Sequence, residues 1–232
     1  MGKNRIISVH IPKTAGTSFL KALEGRFGSE RVIRDYGNRI GRRHIDEMVS
    51  TFDDFNSRIR LSDYESIECI HGHFTPQKYK RLLESGWIAI TWLRDPASQL
   101  YSFFRHIQRT AGQFNYLPDT IAYVTLREKL DFKQFALHPM TQNFVQRFFT
   151  DTIPYAFVGI TERYREDLDY FSRRFIGSDL RYSVENCAPE KTGSDVIKPY
   201  SSLQSEIERV HERDYMLYRH YLSISLRRGD SL

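Results

Sequence analysis

Residues 6–27 read IISVHIPKTAGTSFLKALEGRF, and this stretch predicts a strand, a tight loop and a helix in direct succession. The apolar run from Ile6 to His10 is typical of a buried strand. From Thr17 to Phe27, apolar residues recur at helical spacing. The first N–H groups of a helix have no partner within it, and the helix dipole attracts negative charge. The loop between the two elements therefore predicts an anion site.

The residues of this loop suit a phosphate. Lys13 adds a positive charge, and the hydroxyls of Thr17 and Ser18 add donors. Gly16, which lacks a side chain, would let the backbone approach a ligand closely. The GxxxxGK[ST] pattern of ATPases is absent because Lys13 precedes Gly16, and no Mg²⁺-binding carboxylate is evident from spacing. We expect a phosphate cradle without a hydrolase apparatus, and an ordinary strand-to-helix turn is the alternative.

Strands and helices alternate along the rest of the chain. Further strands are predicted at 67–71, 87–93 and 156–160. Helices are predicted at 42–52, 76–84, 96–109, 131–137, 141–149, 163–175 and 201–222. This alternation predicts an α/β fold with a mainly parallel sheet and helices on both faces. The length suits one domain, residues 1–232. Asp214 falls in the gap of the last helix's apolar stripe, and we expect it to be structural.

The segment from Leu93 to Pro96 (LRDP) stands where a buried strand ends and a helix begins. Ligands of open α/β sheets bind at the carboxyl ends of strands, and Arg94 offers a planar fork suited to a phosphate. Ser102, eight residues on, is expected to face back from the new helix, with Ser98 as the alternative hydroxyl. A capped helix with an incidental arginine is the competing interpretation.

His71 and His73 flank a glycine after the second predicted strand, and alternation puts them on one side if that strand continues. Histidine can take a proton from a hydroxyl near neutral pH, so both are candidates for a general base. Two hydrogen-bonded structural histidines are the alternative. His10 borders the loop and is expected to be structural. A metal site would need a third ligand, which spacing does not identify, so we expect no metal.

The three segments HIPKTAGTSF, HGH and LRDP with its later serine resemble carbohydrate sulfotransferases, in the branch that includes heparan sulfate 2-O-sulfotransferase. The resemblance implies the P-loop-like sulfotransferase fold. It also implies transfer of a sulfuryl group from 3′-phosphoadenosine 5′-phosphosulfate (PAPS) to an acceptor hydroxyl, which leaves 3′-phosphoadenosine 5′-phosphate (PAP). His73 would be the base, His71 would orient it or touch the acceptor, and Lys13 would contact the leaving-group oxygen.

The same resemblance implies a set of nucleotide ligands. Around the 5′-phosphate these are Lys13, Thr14, Ala15, Gly16, Thr17 and Ser18. Arg94 and Ser102 would hold the 3′-phosphate. Residues 186–194 would close over the nucleotide, with Lys191, Thr192 and Ser194 near the 3′-phosphate. Gln99 departs from the family pattern, which often has a basic residue at that position.

Composition narrows the classes of partner. The net charge of +5 fits either an ordinary basic surface or attraction of a polyanionic ligand. The basic residues are scattered and no nucleic-acid motif accompanies them, so we expect no nucleic-acid partner. Cys69 and Cys187 form neither a CxxC pair nor a zinc-type cluster, which argues against a disulfide scaffold. Because no secretory signal or membrane span is evident, we expect a cytoplasmic, bacterial protein.

The sequence leaves the acceptor and two other function classes open. The resemblance favours a hydroxyl on a glycan or glycolipid, and residues 110–131 read as an acceptor-facing loop or lid. Candidates for lining an acceptor cleft, or for an ordinary surface, are Arg105, Arg109, Phe114, Tyr116 and Tyr123. A small-molecule kinase could use the same strand, loop and helix. A non-catalytic nucleotide-binding module is the third possibility, and the oligomeric state is not predicted.

Overall fold

A five-stranded parallel sheet forms the centre of the fold in the computed structural model, which describes residues 4–36, 55–114, 116–149, 153–180 and 200–229. The strands are β1 (Ile6–Val9), β2 (Val32–Asp35), β3 (Cys69–Gly72), β4 (Ile88–Leu93) and β5 (Phe157–Ile160). Their order is β2-β3-β1-β4-β5, and each neighbouring pair is parallel. The apolar run that opens the chain therefore becomes the central strand.

Helices cover both faces of this sheet, as the alternating pattern predicted. Within the described ranges they include α1 (Gly16–Phe27), α2 (Lys80–Glu84), α3 (Pro96–Arg109), α4 (Ile121–Arg127), α5 (Phe132–Ala136), α6 (Tyr164–Phe171), α7 (Gln204–Val210) and α8 (Glu212–Gly229). The helices α1 and α6 pack on one face, where Phe19 and Phe171 are fully buried. On the other face α2 and α8 contribute to a second apolar cluster, which contains Leu82 and Leu217. The α/β class with a parallel sheet is confirmed.

The period of two along each strand decides which side chains meet α1. Ile6 and Cys69 belong to the apolar cluster under α1, while Ile7 and Ile70 belong to the cluster on the opposite face. The polar Ser8 on β1 lies on the same side as Ile6 and is almost completely buried. A third apolar cluster joins α3 to α4, α5 and α7.

Three predictions of secondary structure were wrong, and one of them is the helix at 141–149, where turns lead into the short 3-10 helix Val145–Phe148. The strand β2 was missed because half of it, Arg34 and Asp35, is charged. The single helix predicted at 201–222 is interrupted at His211, where α7 ends and α8 begins. The buried ring of His211 donates from Nε2 to the carbonyl of Ala136 at 2.8 Å, which holds the break in place. The chain continues as helix to Gly229 rather than stopping at Leu222.

Other boundaries differ less. The excursion at 110–131 contains α4, whose N-cap Thr120 accepts the N–H of Tyr123 on its hydroxyl at 3.0 Å. The predicted helix at 163–175 ends as an α-helix at Phe171 and continues as a π turn to Ile176. The helix predicted at 42–52 lies outside the described residues. Within the described part of the chain, no helix combines the length and apolar character needed to cross a membrane.

Asp214 has the structural role that the sequence predicted. Its side chain is 3% exposed, and its carboxylate accepts the N–H groups of Val145 and Gln146 at 3.2 and 2.8 Å. These two N–H groups lie at the start of the short 3-10 helix Val145–Phe148. Because the first N–H groups of a helix lack internal partners, the carboxylate of Asp214 satisfies donors that would otherwise be unpaired.

Candidate active site

The candidate site lies at the carboxyl end of the sheet, around the end of its central strand. In the register of the sheet, Val9 at the end of β1 pairs with Gly72 of β3 on one side and with Thr91 of β4 on the other. The loop that begins at His10 is therefore flanked by the segments that follow β3 and β4. The topology itself brings together three segments that are far apart in the sequence.

The loop after β1 has a backbone shape that ordinary residues adopt at a cost. Lys13 and Ala15 have positive φ angles of 69° and 65°, although neither is glycine. Such left-handed residues are uncommon and persist where the surroundings hold them. The hydroxyl of Thr14 donates to the carbonyl of Ile11 at 2.8 Å, which braces the loop from within. Left-handed residues of this kind are typical of segments that turn backbone N–H groups toward an anion.

Two side chains, one after β4 and one from α3, brace the same loop from outside. The Gln99 amide donates to the carbonyl of Pro12 at 2.8 Å, and Nη1 of Arg94 lies 3.4 Å from the carbonyl of Lys13. Gln99, which departs from the family pattern at a position where a basic residue is common, thus has a structural partner here. The Arg94 segment and the Lys13 loop are in direct contact in this structure.

The amino terminus of α1 is open. No side chain caps it, and its N-cap is the left-handed Ala15. Among the described residues, no backbone carbonyl accepts the N–H groups of Ala15, Gly16 or Thr17. These free donors point to an anion site because the start of a helix carries partial positive charge.

Positive side chains gather beside this helix start. The pKa of Lys13 is lowered, first by partial burial of its ammonium group and then by the positive charges of Arg109 and Arg94. The pKa of the nearby His106 is lowered by burial, and then by Lys13 and Arg109. Within the described part of the chain, no carboxylate lies within ion-pair distance of Lys13, Arg94 or Arg109, although burial raises the pKa of the nearby Glu162 and the charge of Arg94 acts to lower it. The cluster therefore has the electrostatic character of an anion site.

A cluster of three imidazole rings lies on the other side of the loop. The His10 ring stacks against those of His71 and His73, with centroid separations of 5.1 and 4.5 Å and an interplanar angle of 25° in each pair. The edge of Tyr36, which follows β2, contacts all three rings. Burial is the largest cause that lowers the pKa of each of these histidines. All three rings are therefore expected to be neutral at pH 7.

His71 and His73 differ in what they can do chemically. His71 is 1% exposed, and its Nδ1 shares a hydrogen bond of 2.8 Å with the hydroxyl of Ser8. His73 is less buried, and its Nδ1 lies 2.7 Å from the carbonyl oxygen of His10. A carbonyl only accepts, so the proton of neutral His73 must sit on Nδ1 and leaves a lone pair on Nε2. Of the two histidines, His73 has the geometry of a base, whereas the ring of His71 is almost completely shielded from solvent.

Two glycines, Gly16 and Gly72, stand where a Cβ atom would collide with a neighbouring group. A Cβ atom on Gly16 would lie 2.0 Å from Nε2 of His10, so the lack of a side chain makes room for this imidazole. This differs from the sequence-based interpretation, in which Gly16 made room for the ligand. A Cβ atom on Gly72 would lie 1.8 Å from the carbonyl oxygen of Asp35, at the close approach of β2 and β3. The glycine of the His-Gly-His segment is therefore required by sheet packing.

The two candidate serines of α3 have different surroundings. The hydroxyl of Ser98 lies 2.5 Å from that of Tyr200, so it already has a partner, and its N–H donates to the carboxylate of Asp95. Ser102, one turn further on, is half-buried and has no side-chain hydrogen bond to another described residue. Ser102 therefore keeps a free hydroxyl on the face of α3 that also carries His106 and Arg109, at i+4 and i+7.

Among the residues expected around an acceptor, Arg105 and Arg109 line the same cavity. A cavity of about 360 Å³ is lined by Arg105, Gln108 and Arg109 at the end of α3. Phe114 is exposed, and the hydroxyl of Tyr116 pairs with that of Thr110 at 2.8 Å. A cavity of about 390 Å³ lies at the amino ends of β1 and β4, at the opposite end of the sheet from the histidines. Lys191, Thr192 and Ser194 lie outside the described residues.

Sequence reasoning missed two members of the site. From the sequence, His10 was expected only to be a structural residue at the edge of the loop, and Arg109 was a candidate only for lining an acceptor cleft. The spacing of Ser102, His106 and Arg109 on one helix face was a usable signal for Arg109. No sequence signal placed His10 between His71 and His73, because its position depends on the pairing of β1 with β3.

Among known proteins, similarity was found only to solved structures. No family model matches the chain, and no curated protein sequence matches it. Its fold is similar to a sulfotransferase from Alicyclobacillus acidocaldarius, at 13% identity over 95% of this chain and 96% of that one, with a TM-score of 0.45. It is also similar to mouse sulfotransferase SULT7A1 complexed with PAP, at 14% identity over 96% and 90% of the two chains, with a TM-score of 0.43. At these values the likeness carries no argument about function, which rests on the site.

Proposed function

We propose that this chain is a PAPS-dependent sulfotransferase that moves a sulfuryl group to an acceptor hydroxyl. The observation that carries the proposal is the gathering of three cations, Lys13, Arg94 and Arg109, beside the uncapped start of α1. The mutual repulsion of these positive charges costs free energy, which a bound anion offsets. PAPS carries a phosphosulfate and a separate 3′-phosphate, and both the charge and the resemblance in sequence support it as the ligand.

His73 is the proposed general base. The hydrogen bond from its Nδ1 to the carbonyl of His10 leaves Nε2 with a lone pair. Burial lowers the pKa of His73 and so favours the neutral ring at pH 7, which is the form that accepts a proton. His71 has no such role in this proposal, because its ring is almost completely buried and bonded to Ser8. The ring of His71 packs against that of His10.

In the proposed reaction, the acceptor hydroxyl gives its proton to Nε2 of His73 while its oxygen forms a bond to sulfur. The bond between sulfur and the 5′-phosphate oxygen breaks, and that electron pair leaves with PAP. Lys13 and the free N–H groups of the loop would offset the negative charge that grows on the bridging oxygen and the sulfuryl group. The products are a sulfate ester and PAP, and the proton on His73 passes to solvent.

Arg94 and Ser102 are the proposed ligands of the 3′-phosphate. Arg94 is half-buried at the carboxyl end of β4, and Ser102 keeps a free hydroxyl in the second turn of α3. A fork-shaped cation and a hydroxyl donor suit a dianionic phosphate. The resemblance in sequence favours a carbohydrate or glycolipid hydroxyl as the acceptor.

The first experiment compares the binding of PAP and of ATP with Mg²⁺ by thermal shift. At about 100 times its Kd, a ligand adds about 2.7 kcal/mol of stability, which shifts the melting temperature by several degrees. We expect the larger shift with PAP, and its loss in Lys13→Ala. Lys80→Ala is the matched control, since Lys80 is exposed and pairs with Glu84 one turn along α2. A larger shift with ATP and Mg²⁺ would favour a kinase instead.

The second experiment measures release of PAP from PAPS in the presence of glycan and glycolipid acceptors. We expect His73→Ala to keep its affinity for PAP while turnover falls by about 10²- to 10⁴-fold, the usual contribution of a general base. Binding of PAP without turnover in the unaltered protein, across acceptors, would indicate a nucleotide-binding module. Undiminished turnover in His73→Ala would remove His73 from the mechanism.

A further inference from the structure

The ring of His10 lies between the anion-binding loop and the proposed base. On one side it fills the space left by Gly16, the first residue of α1, where even a methyl group would collide with it. The same ring stacks on His73 at a centroid distance of 4.5 Å. A single imidazole thus contacts both the helix start that would hold the nucleotide and the ring that would take the proton.

The backbone of His10 makes hydrogen bonds, whereas its ring makes packing contacts. Its carbonyl accepts the Nδ1–H of His73, and its N–H donates to the carbonyl of Gly72 at 2.7 Å, which ties the loop to β3. Its ring has a buried Nδ1 that finds no hydrogen-bond partner among the described residues. Because Nδ1 makes no hydrogen bond, this part of the His10 ring acts on its neighbours mainly through its shape. Protein interiors are close-packed, so a displacement of one side chain is transmitted to the next.

We propose that His10 is a positioning residue whose imidazole, wedged between Gly16 and His73, holds the base in place and links it mechanically to the anion-binding loop. The inference rests on the proposed function for its catalytic meaning, although the packing itself does not depend on it. Binding of an anion at the start of α1 would press on Gly16, and the His10 ring would carry that displacement to His73.

Several titratable and charged groups lie near His73 in addition to the ring of His10. From β3 this is His71, and from the loop after β1 Lys13 acts on the neighbouring His10. From β2, the residue after it and the segment after β3 they are Asp35, Tyr36, Lys78 and Tyr79. The carboxylate of Asp35 already accepts from Lys78 and Tyr79, at 2.6 and 2.8 Å. The rings of His71 and Tyr36 also contact the ring of His10, so variants that refill its space are needed to assign a change at His73 to the loss of this ring.

The test follows the His73 imidazole by NMR in protein labelled with ¹⁵N-histidine, without nucleotide. In the unaltered protein we expect the tautomer protonated on Nδ1, with a titration midpoint below that of an ordinary histidine. In His10→Ala the carbonyl remains but the ring is gone. Water can then reach His73, so its midpoint should move to higher pH and both tautomers should be populated. His10→Phe and His10→Leu, which refill the space, should restore the original behaviour.

Gly16→Ala tests the link from the other end. Its methyl group would push the His10 ring, so we expect the His73 resonances to shift although Gly16 is not part of the His73 hydrogen bond. The exposed His220 on α8 is the internal reference and should not move in any variant. If His10→Ala and Gly16→Ala both leave the midpoint and tautomer of His73 unchanged, the inference is wrong.

Turnover supplies a readout that a merely structural residue would not share. We expect kcat of His10→Ala to fall by about 10²-fold, the size that misplacement of a catalytic group can cause, with little change in the affinity for PAP. The acidic limb of its pH–rate profile should move to higher pH, as the NMR midpoint does. Failure of PAP to bind the unaltered protein would overturn the proposed function alone, because the NMR measurements use no nucleotide.

Discussion

Lowering the pH from 7.5 to 5 is expected to destabilise the protein through the buried imidazole of His71. Burial lowers the pKa of His71 from 6.5 to about 3, so its ring stays neutral in the folded chain throughout this range. In the unfolded chain the same ring takes up a proton below about pH 6.5. The unfolded state therefore binds more protons than the folded state as the pH falls, and the free energy of unfolding decreases.

The magnitude follows from the two pKa values. At pH 5 the unfolded ring is almost fully protonated and the folded ring is not. The free energy of unfolding is then lower by about 1.4 kcal/mol for each pH unit below 6.5, or about 2 kcal/mol in all. His10 and His73 act in the same direction, since burial also lowers the pKa of each. The contribution of His71 to the free energy of unfolding is fully present above pH 6.5 and is lost as the pH falls toward 3.

The contribution of His71 can be isolated with the double variant Ser8→Ala/His71→Leu. This replacement removes both partners of their hydrogen bond at once, so neither is left unpaired. Urea unfolding at half-unit steps from pH 7.5 to 5 gives the free energy of unfolding at each pH for both proteins. We expect the double variant to lose about 2 kcal/mol less over this range. An identical loss in the two proteins would refute the assignment of a neutral, buried His71.

Two further predictions concern α3 and α8. Ser102→Ala should weaken PAP binding by about 10- to 100-fold, the worth of a hydrogen bond to a charged group, in a calorimetric titration. Ser98→Ala, the matched control, should leave the affinity nearly unchanged, because its hydroxyl pairs with Tyr200; equal losses in the two variants would contradict the assignment. Asp214→Ala should lower the free energy of unfolding by about 3 kcal/mol in urea, since two N–H groups lose their acceptor. Asp169→Ala, at an exposed carboxylate of α6, should change it little, and a comparable loss there would argue against the capping role.

The fold class was predictable because it depends on patterns that are local in sequence. Apolar runs such as residues 87–93 favour buried strands, and the four strands predicted from such runs are present. The edge strand β2 was not predictable in the same way, since its Arg34 and Asp35 dilute the apolar signal. The break at His211 was also missed, because the bond to the carbonyl of Ala136 that stabilises it joins residues far apart in sequence.

The sequence alone determined the elements of the site: a strand, a loop with Lys13, a helix start, and an Arg94 at the end of another strand. These follow from residue types and spacing, which act over a few residues. Only the tertiary structure decided that Lys13, Arg94 and Arg109 gather at one place, and that the rings of His10 and His73 stack. Such contacts depend on which strands are neighbours in the sheet and on the close approach that Gly16 permits, and neither is encoded in any short stretch of the chain.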